Sequence, residues 1–420
     1  MEYLQKLLNQ FSDTPRNIVV KADILRRGIR LNEDIQKAGE RANTLGLSSK
    51  LESIVRTYAP PPSQFHFRAD ETTVDIKIDQ RSPYEIRERS EGRWNLVCGA
   101  EDLGEIRFTE RPSYGDKQTS DGKAYADLLL QRGAHCLCVN HLNLCAYFKR
   151  GESCAYCLLS PAMDLGIELK ILDPVPDYDM VAEAVEIACR EDVDLKELKL
   201  NGGALYDIRK EAGYIKQCLE RVLNRIEPPE EITVFAQALE KDDQKDLKEL
   251  GATNVCFDLE VWNEDLWPRL LPGKAKTVGR DEWIRRLEGA VDVFGRGHVG
   301  TNFVGGLECA PRPGFLSRDV ALRSYAQGFE DLIRRGIVPW FTVWTTYPPV
   351  GDFQIDDPPP TEFYLELGRT LHELLEKYGV YADLGFSRMG TNPSTLGLYC
   401  YYCYSMQFTR DYPRLMGRGQ

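Results

Sequence analysis

Cys145, Cys154 and Cys157 lie in the segment CAYFKRGESCAYC, directly after a short apolar run, Cys136 to Val139, that reads as a β-strand. Thiolates spaced Cys-x8-Cys-x2-Cys can ligate three irons of a [4Fe–4S] cube and leave the fourth iron without a protein ligand. Chemistry can take place at that open iron. Two other readings remain: a zinc knuckle, or thiols buried as core filling. Three cysteines with one CxxC make a poor four-ligand zinc site unless His141 or a remote residue completes it. We read His141 as a residue that packs near the loop and not as a ligand.

The elements that position these thiols are written in the rest of the chain. It has 420 residues, 28% charged and 42% hydrophobic, enough for a large core and more than one domain. The net charge of −12 argues against broad phosphate binding, so nucleic acid is not the expected partner. No apolar run approaches the roughly 20 residues of a membrane span, and the N-terminus lacks a signal-peptide layout; a cytoplasmic location is expected. In that compartment twelve cysteines point to metal binding or catalysis before disulfides.

Residues 1–130 predict an accessory region, helical through EYLQKLLNQF and LNEDIQKAGERANTLG and then β-rich after the Pro-Pro-Pro at 60–62. From 131 to 378 strands and helices alternate. Strands are expected at 135–140, 198–201, 232–237, 254–260, 298–304 and 337–345, with helices near 179–191, 208–226, 240–250, 280–294, 317–335 and 361–378. Six β-α units in order predict an α/β fold: a full or partial parallel (β/α)6 TIM-like barrel with an α+β N-terminal accessory region. Such barrels gather their chemistry at the C-terminal strand ends, where the cysteine loop falls. Gly295-Arg296-Gly297-His298-Val299-Gly300 matches a dinucleotide fingerprint as a string, but it follows a helix and opens a strand, so it reads as a loop.

The tight pair Cys154-Ala155-Tyr156-Cys157, with an aromatic residue before its last member, resembles the cluster loop of the radical S-adenosylmethionine (radical SAM) superfamily. The first gap is eight residues, where the commonest family pattern has three; loop closure grows costlier only slowly with length. Leu200-Asn201-Gly202-Gly203-Ala204 is similar to the family's Gly-Gly-Glu motif, with Ala204 in place of the Glu. Thr301-Asn302-Phe303-Val304-Gly305-Gly306-Leu307-Glu308 is similar to its Gly-x-Ile-x-Gly-x-x-Glu stretch. The resemblance implies that Cys145, Cys154 and Cys157 ligate a [4Fe–4S] cluster and that Tyr156, Gly202, Gly203, Glu260, Phe303 and Gly305 line a SAM site. Alternation directs Asp258 and Glu260 to one side of the fourth strand, with a plain ion pair to Arg280 or Lys274 as the structural alternative for Glu260. On the sixth strand, large aromatics alternate with hydroxyls, and at least one tryptophan is expected to fill core.

A C-terminal extension, 379–420, carries Cys400 and Cys403, read as catalytic thiols or as core filling in preference to an auxiliary cluster, which would need help from elsewhere, for instance Cys309 or the Cys136/Cys138 pair. The family's reaction, carried over by resemblance, is reductive cleavage of SAM to a 5′-deoxyadenosyl radical that takes hydrogen from a small-molecule substrate, with an external electron donor such as flavodoxin or ferredoxin. The competing readings are a radical methyl- or sulfur-transferase using the terminal CxxC, and a non-catalytic iron–sulfur or zinc protein.

Overall fold

The computed structural model describes residues 2–45, 60–70, 72–132, 135–157, 159–168, 170, 172–191, 193–344 and 357–384. Cys400 and Cys403 lie outside the described residues, as does Thr345 at the end of the expected sixth strand.

The predicted alternation is present. Strands β7 (Cys136–Leu142), β8 (Glu197–Gly202), β9 (Glu231–Ala236), β10 (Asn254–Phe257), β11 (Val299–Gly305) and β12 (Val338–Val343) pair in parallel, each with its sequence neighbour. Helices Tyr178–Glu191, Ile208–Leu223, Lys241–Glu249, Arg280–Phe294, Arg318–Arg334 and Thr361–Lys377 follow them in turn. One strand was not foreseen: β6 (Leu129–Arg132) adds to β7 antiparallel, so among the described residues the sheet runs β12-β11-β10-β9-β8-β7-β6, with β12 and β6 not paired to each other. It is therefore a partial barrel. The fourth strand ends at Phe257, three residues earlier than expected, and pairing resumes only as a single bridge between Glu260 and Phe303.

Alternation divides each strand between two environments. Leu137, Val139, Leu198, Leu200, Val234, Phe257, Phe303 and Phe341 join the core under the helices. The opposite, concave face carries a separate cluster, Leu130, Cys136, Cys138, Phe235, Cys256, Val338 and Trp340. The register extends this face to Glu197, Lys199 and Asn201 on β8 and to Asn302 on β11.

Among its described residues the N-terminal region includes the helices Glu2–Gln10, Arg16–Arg27 and Glu33–Arg41 and a five-stranded antiparallel sheet. Its strands β1 (Gln64–Phe67), β2 (Thr73–Asp75), β3 (Tyr84–Ser90), β4 (Arg93–Cys98) and β5 (Glu101–Phe108) run in the order β2-β1-β5-β4-β3. This region holds both flanks of the open sheet. At β6, the backbone N–H of Gln131 donates to Leu45 O (2.9 Å), and Asn43 Nδ2 donates to Gln131 O (3.1 Å). On the other flank, Arg26 Nε donates to Pro359 O (2.6 Å) and Thr361 Oγ1 to Asp23 Oδ1 (2.6 Å). No described helix is long and apolar enough to cross a membrane.

Candidate functional site

The cysteine loop leaves the C-terminal end of β7. Cys145 caps the short helix Ala146–Lys149, and Cys154 and Cys157 close a turn in which Cys157 N–H donates to Cys154 O (3.0 Å). None of the three is joined in a disulfide and each is partly exposed, while Cys136 and Cys138 on β7 are buried. Cys154 lies within electrostatic reach of both Cys145 and Cys157, and enclosure pushes its thiol up. Among the described residues, no three His, Cys, Asp or Glu side chains are drawn together as a ready site for a single metal ion; a cube instead takes one thiolate at each of three separate irons. Three free, rim-facing thiols gathered in one loop are a donor set of that kind.

Neighbouring elements brace the loop on two sides. On the β8 side, Gly203 N–H donates to Leu142 O (3.0 Å) and Ala146 N–H to Ala204 O (2.8 Å). A Cβ on Gly203 would stand 2.0 Å from Leu144 O and 2.8 Å from the Cys145 nitrogen. The bare backbone there thus seats the first cysteine. Tyr206 donates to Glu152 Oε2 (2.6 Å), and the Arg150 guanidinium stacks 4.3 Å from the Tyr206 ring centroid. On the other side, the connection after β10 forms two short helices, Trp267–Leu270 and Pro272–Thr277. Ala155 N–H donates to Leu270 O (2.9 Å), Gly273 N–H donates to Glu152 O (3.0 Å), and Lys276 pairs with Glu152. Tyr147, packed flat against Gly273, hydrogen-bonds Gln237 at the end of β9. Gln237 in turn donates to Glu211 Oε2 (2.7 Å), a buried carboxyl raised to about 7 by burial. The sequence reading passed over Tyr147, Gln237, Glu211 and Gly273. Gln237 alone had a signal, its place at the expected end of the third strand.

Glu260 stands at φ 71°, a left-handed conformation costing an ordinary residue about 1–2 kcal/mol. Its backbone is fixed on both sides, Glu260 N–H donating to Asn302 O (2.8 Å) and Val304 N–H to Glu260 O (2.7 Å). Its carboxylate accepts from Lys274 Nζ at 2.9 Å, the ion pair named as the structural alternative; Arg280 instead bonds Trp262 O. Tyr156 faces the same carboxylate, its phenol raised well above its usual range by burial and then by Glu260. Asp258, raised to about 6 by burial and by Glu260, accepts from Asn302 N–H (3.0 Å) and from the Cys256 thiol (2.9 Å).

At two of the expected site residues the side-chain position faces the helix layer. The Phe303 ring points into the helix layer, 5.3 Å from the Phe329 ring and 6.1 Å from Tyr325, so alternation gives the concave face to Asn302 and Val304. Gly305 also meets the helix side: a Cβ there would lie 2.7 Å from the Phe341 ring, and its bareness makes room for core packing. At Gly202 the missing Cβ is replaced by the His141 imidazole, 2.7 Å from where it would stand. That imidazole is wholly buried, bonds nothing through either nitrogen, and is lowered to about 3 by burial.

Asn201, next to Gly202 on the concave face, was quoted in the sequence motif but given no role. It is 3% exposed, and among the described residues neither its amide oxygen nor its nitrogen has a partner. A buried orphan of this kind calls for an explanation.

No family model matches the chain. In sequence it is 24% identical over 360 residues to bacteriochlorophyllide c C-7(1)-hydroxylase of Chlorobaculum limnaeum, a match covering 79% of this chain and 85% of the relative. Among solved structures it is similar to HydG, a maturase of the [FeFe]-hydrogenase (14% identity, TM-score 0.43, 58% of this chain), and spans about half of that protein's length, 49%. A radical SAM methyltransferase from Sphaerobacter thermophilus is another such structure (14% identity, TM-score 0.40, 70% of this chain and 76% of that one). The three-cysteine loop lies at the mouth of a six-unit β/α partial barrel, the fold and the place that the resemblance to the radical SAM superfamily implies.

Proposed function

We propose that Cys145, Cys154 and Cys157 hold a [4Fe–4S] cluster with SAM beside it, and that the enzyme removes a hydrogen atom from an unactivated carbon of a small molecule. The observation that carries this reading is the seat of the loop: three free thiols at the strand ends, pinned from β8 and from the connection after β10. When bound, cluster and SAM together supply a 5′-deoxyadenosyl radical, with the electron coming from a flavodoxin- or ferredoxin-like donor.

The chain's own residues place and enclose the reactants. Gly202 and Gly203 present backbone beside Cys145, Tyr156 and the Lys274-paired Glu260 wall the far side of the loop, and the backbone of Phe303 and Gly305 forms the rim at β11. The concave polar groups Asn201, Asp258 and Asn302 face the substrate. The relative's name makes a bacteriochlorophyllide the first substrate to try, and hydroxylation the first net reaction to look for. Cys400 or Cys403 supplies a thiol late in the reaction, since two nearby cysteines are too few to hold a second cube.

The test is anaerobic reconstitution of the full chain. About four irons per chain and 5′-deoxyadenosine on adding SAM and dithionite are expected; colourless zinc-loaded protein, or iron without SAM cleavage, would sink the reading. In a Cys400→Ala/Cys403→Ala double variant, iron should stay constant and 5′-deoxyadenosine should still form while product falls; loss of half of a doubled iron content would point to a second cluster.

A further inference from the structure

The connection after β10 does more than brace the loop, because it carries a buried cation to it. Lys274 follows Gly273, whose N–H holds Glu152 O of the cysteine loop. Its ammonium donates to Glu260 Oε1 (2.9 Å) and to the Asp258 carbonyl (2.7 Å), and lies 4.7 Å from the centroid of the Trp283 ring. The Lys274 and Glu260 side chains are each 11% exposed. Lys274 and Cys154 each act on the other electrostatically, and Glu260 acts on Cys154 as well. The pair is held rigidly: Glu260 is fixed by two backbone bonds to β11 at a strained φ, and Lys274 by Trp283 and the Asp258 carbonyl.

We propose that Lys274 is a positioning residue whose enclosed ammonium, paired to Glu260 and set against the Cys154 arm, tunes the reduction potential of the cluster that the loop holds. This rests on the cluster assignment above. Two opposite charges are fixed beside one ligand at so little exposure that solvent and salt screen them weakly, and local charge is among the factors that set an iron–sulfur potential. Reduction adds one electron, with no bond made or broken in the protein. A neighbouring cation stabilises the reduced form and a neighbouring anion opposes it, so removing each partner must shift the potential in opposite directions.

The experiment is an EPR-monitored redox titration of the anaerobically reconstituted full chain without SAM, with iron content measured on the same samples. Lys274→Met is expected to lower the midpoint so that the reduced-to-oxidised ratio at the wild-type midpoint falls at least tenfold, about 59 mV for a one-electron couple. Glu260→Gln is expected to raise it, Lys274→Arg to leave it within threefold of wild type, and the Lys274→Met/Glu260→Gln double variant to return toward it. A residue that merely packs the loop would move both single variants the same way or neither, and either result with full iron content overturns the proposal. If Lys274→Met cannot hold iron, Glu260→Gln decides: a rise supports the proposal and an unchanged midpoint overturns it. Failure of the wild type to bind iron would instead refute the cluster reading.

Discussion

The two ends of the same parallel strands use the same residue types for different ends. At the N-terminal floor of the concave face, Cys136 and Cys138 are buried, and Glu197 and Lys199 pair at 3.2 Å with 2% and 3% of their side chains exposed. Arg132 of β6 and Asp75 of β2, also buried, pair at 3.6 Å and tie the two sheets together. At the C-terminal rim, the cysteines are partly exposed, a glutamate sits in a left-handed conformation, and Asn201 and His141 are buried with no hydrogen-bond partner among the described residues. The floor pairs its charges with one another, although Glu197 Oε2 has no hydrogen bond among the described residues. The rim holds strain and unmet hydrogen-bonding capacity, which barrels concentrate where ligands bind.

The largest expected effect separates the two sets of cysteines. Alanine at Cys145, Cys154 or Cys157 should abolish both the cluster absorbance and SAM cleavage, because two thiolates cannot hold the cube. Alanine at Cys136 should keep iron near wild type at some cost in stability. Near-normal iron in any of the first three, or iron loss at Cys136 in folded protein, would erase the distinction between rim and floor.

Gly203→Ala tests the seat of the rim. Its Cβ would fall 2.0 Å from backbone at Leu144, which cannot swing aside as a side chain can, and overpacking of this kind costs about 1–3 kcal/mol. We expect less than half of wild-type iron after reconstitution, with far-ultraviolet circular dichroism unchanged. Full iron occupancy would mean that the loop is placed by the connection after β10 alone.

Much of this division can be read in the sequence, because strand order, helix order and the cysteine loop all follow from short-range pattern and spacing. The edge strand β6 could not be read: four residues, LLQR, carry no periodicity of their own, and their pairing depends on β7. The direction of the Phe303 ring was illegible for a related reason. Motif position suggested a ligand contact, but the face a side chain takes is set by register, and one residue decides between adenine and core. Lys274 lies 14 residues beyond Glu260, in a segment with neither strand nor long-helix pattern; sequence offered it only as one of two ion-pair partners, and its place beside Cys154 needed the folded connection.

On the floor, Lys199→Met should cost about 3–5 kcal/mol of folding stability, since it strands the Glu197 carboxylate in full burial. Chemical denaturation checks this, and the surviving folded fraction should still take up iron. A loss below 1 kcal/mol would show that water reaches the floor.

The rim settles its own buried carboxyl differently, with hydrogen bonds instead of an ammonium. Glu211 accepts from Leu205 N–H (2.8 Å) and Gln237, and its pKa rises from 4.5 to about 7 by burial. With the folded value above the unfolded one, the folded chain binds the extra proton between them, so stability falls as pH rises from about 4.5 to about 7 and levels off above. The slope reaches at most roughly 1.4 kcal/mol per pH unit. Glu211→Gln should flatten that part of the stability profile relative to wild type, and parallel profiles for the two proteins would show that Glu211 is ionised throughout.

The smallest effect is expected at Asn201, where rim and floor differ in what is missing. Its amide is buried on the concave face with no hydrogen bond to lose, while an unsatisfied buried polar group costs about 1–3 kcal/mol. Leucine has nearly the same shape and carries no such debt. Asn201→Leu should therefore leave the ligand-free chain as stable as wild type or up to about 1 kcal/mol more stable, and thermal unfolding of the unreconstituted protein measures this. The same substitution should reduce product formation on any substrate the enzyme accepts, because a group kept unsatisfied at the mouth of the barrel is available only to a ligand. A clear fall in the melting temperature would place Asn201 with the structural groups of the floor and remove it from the site.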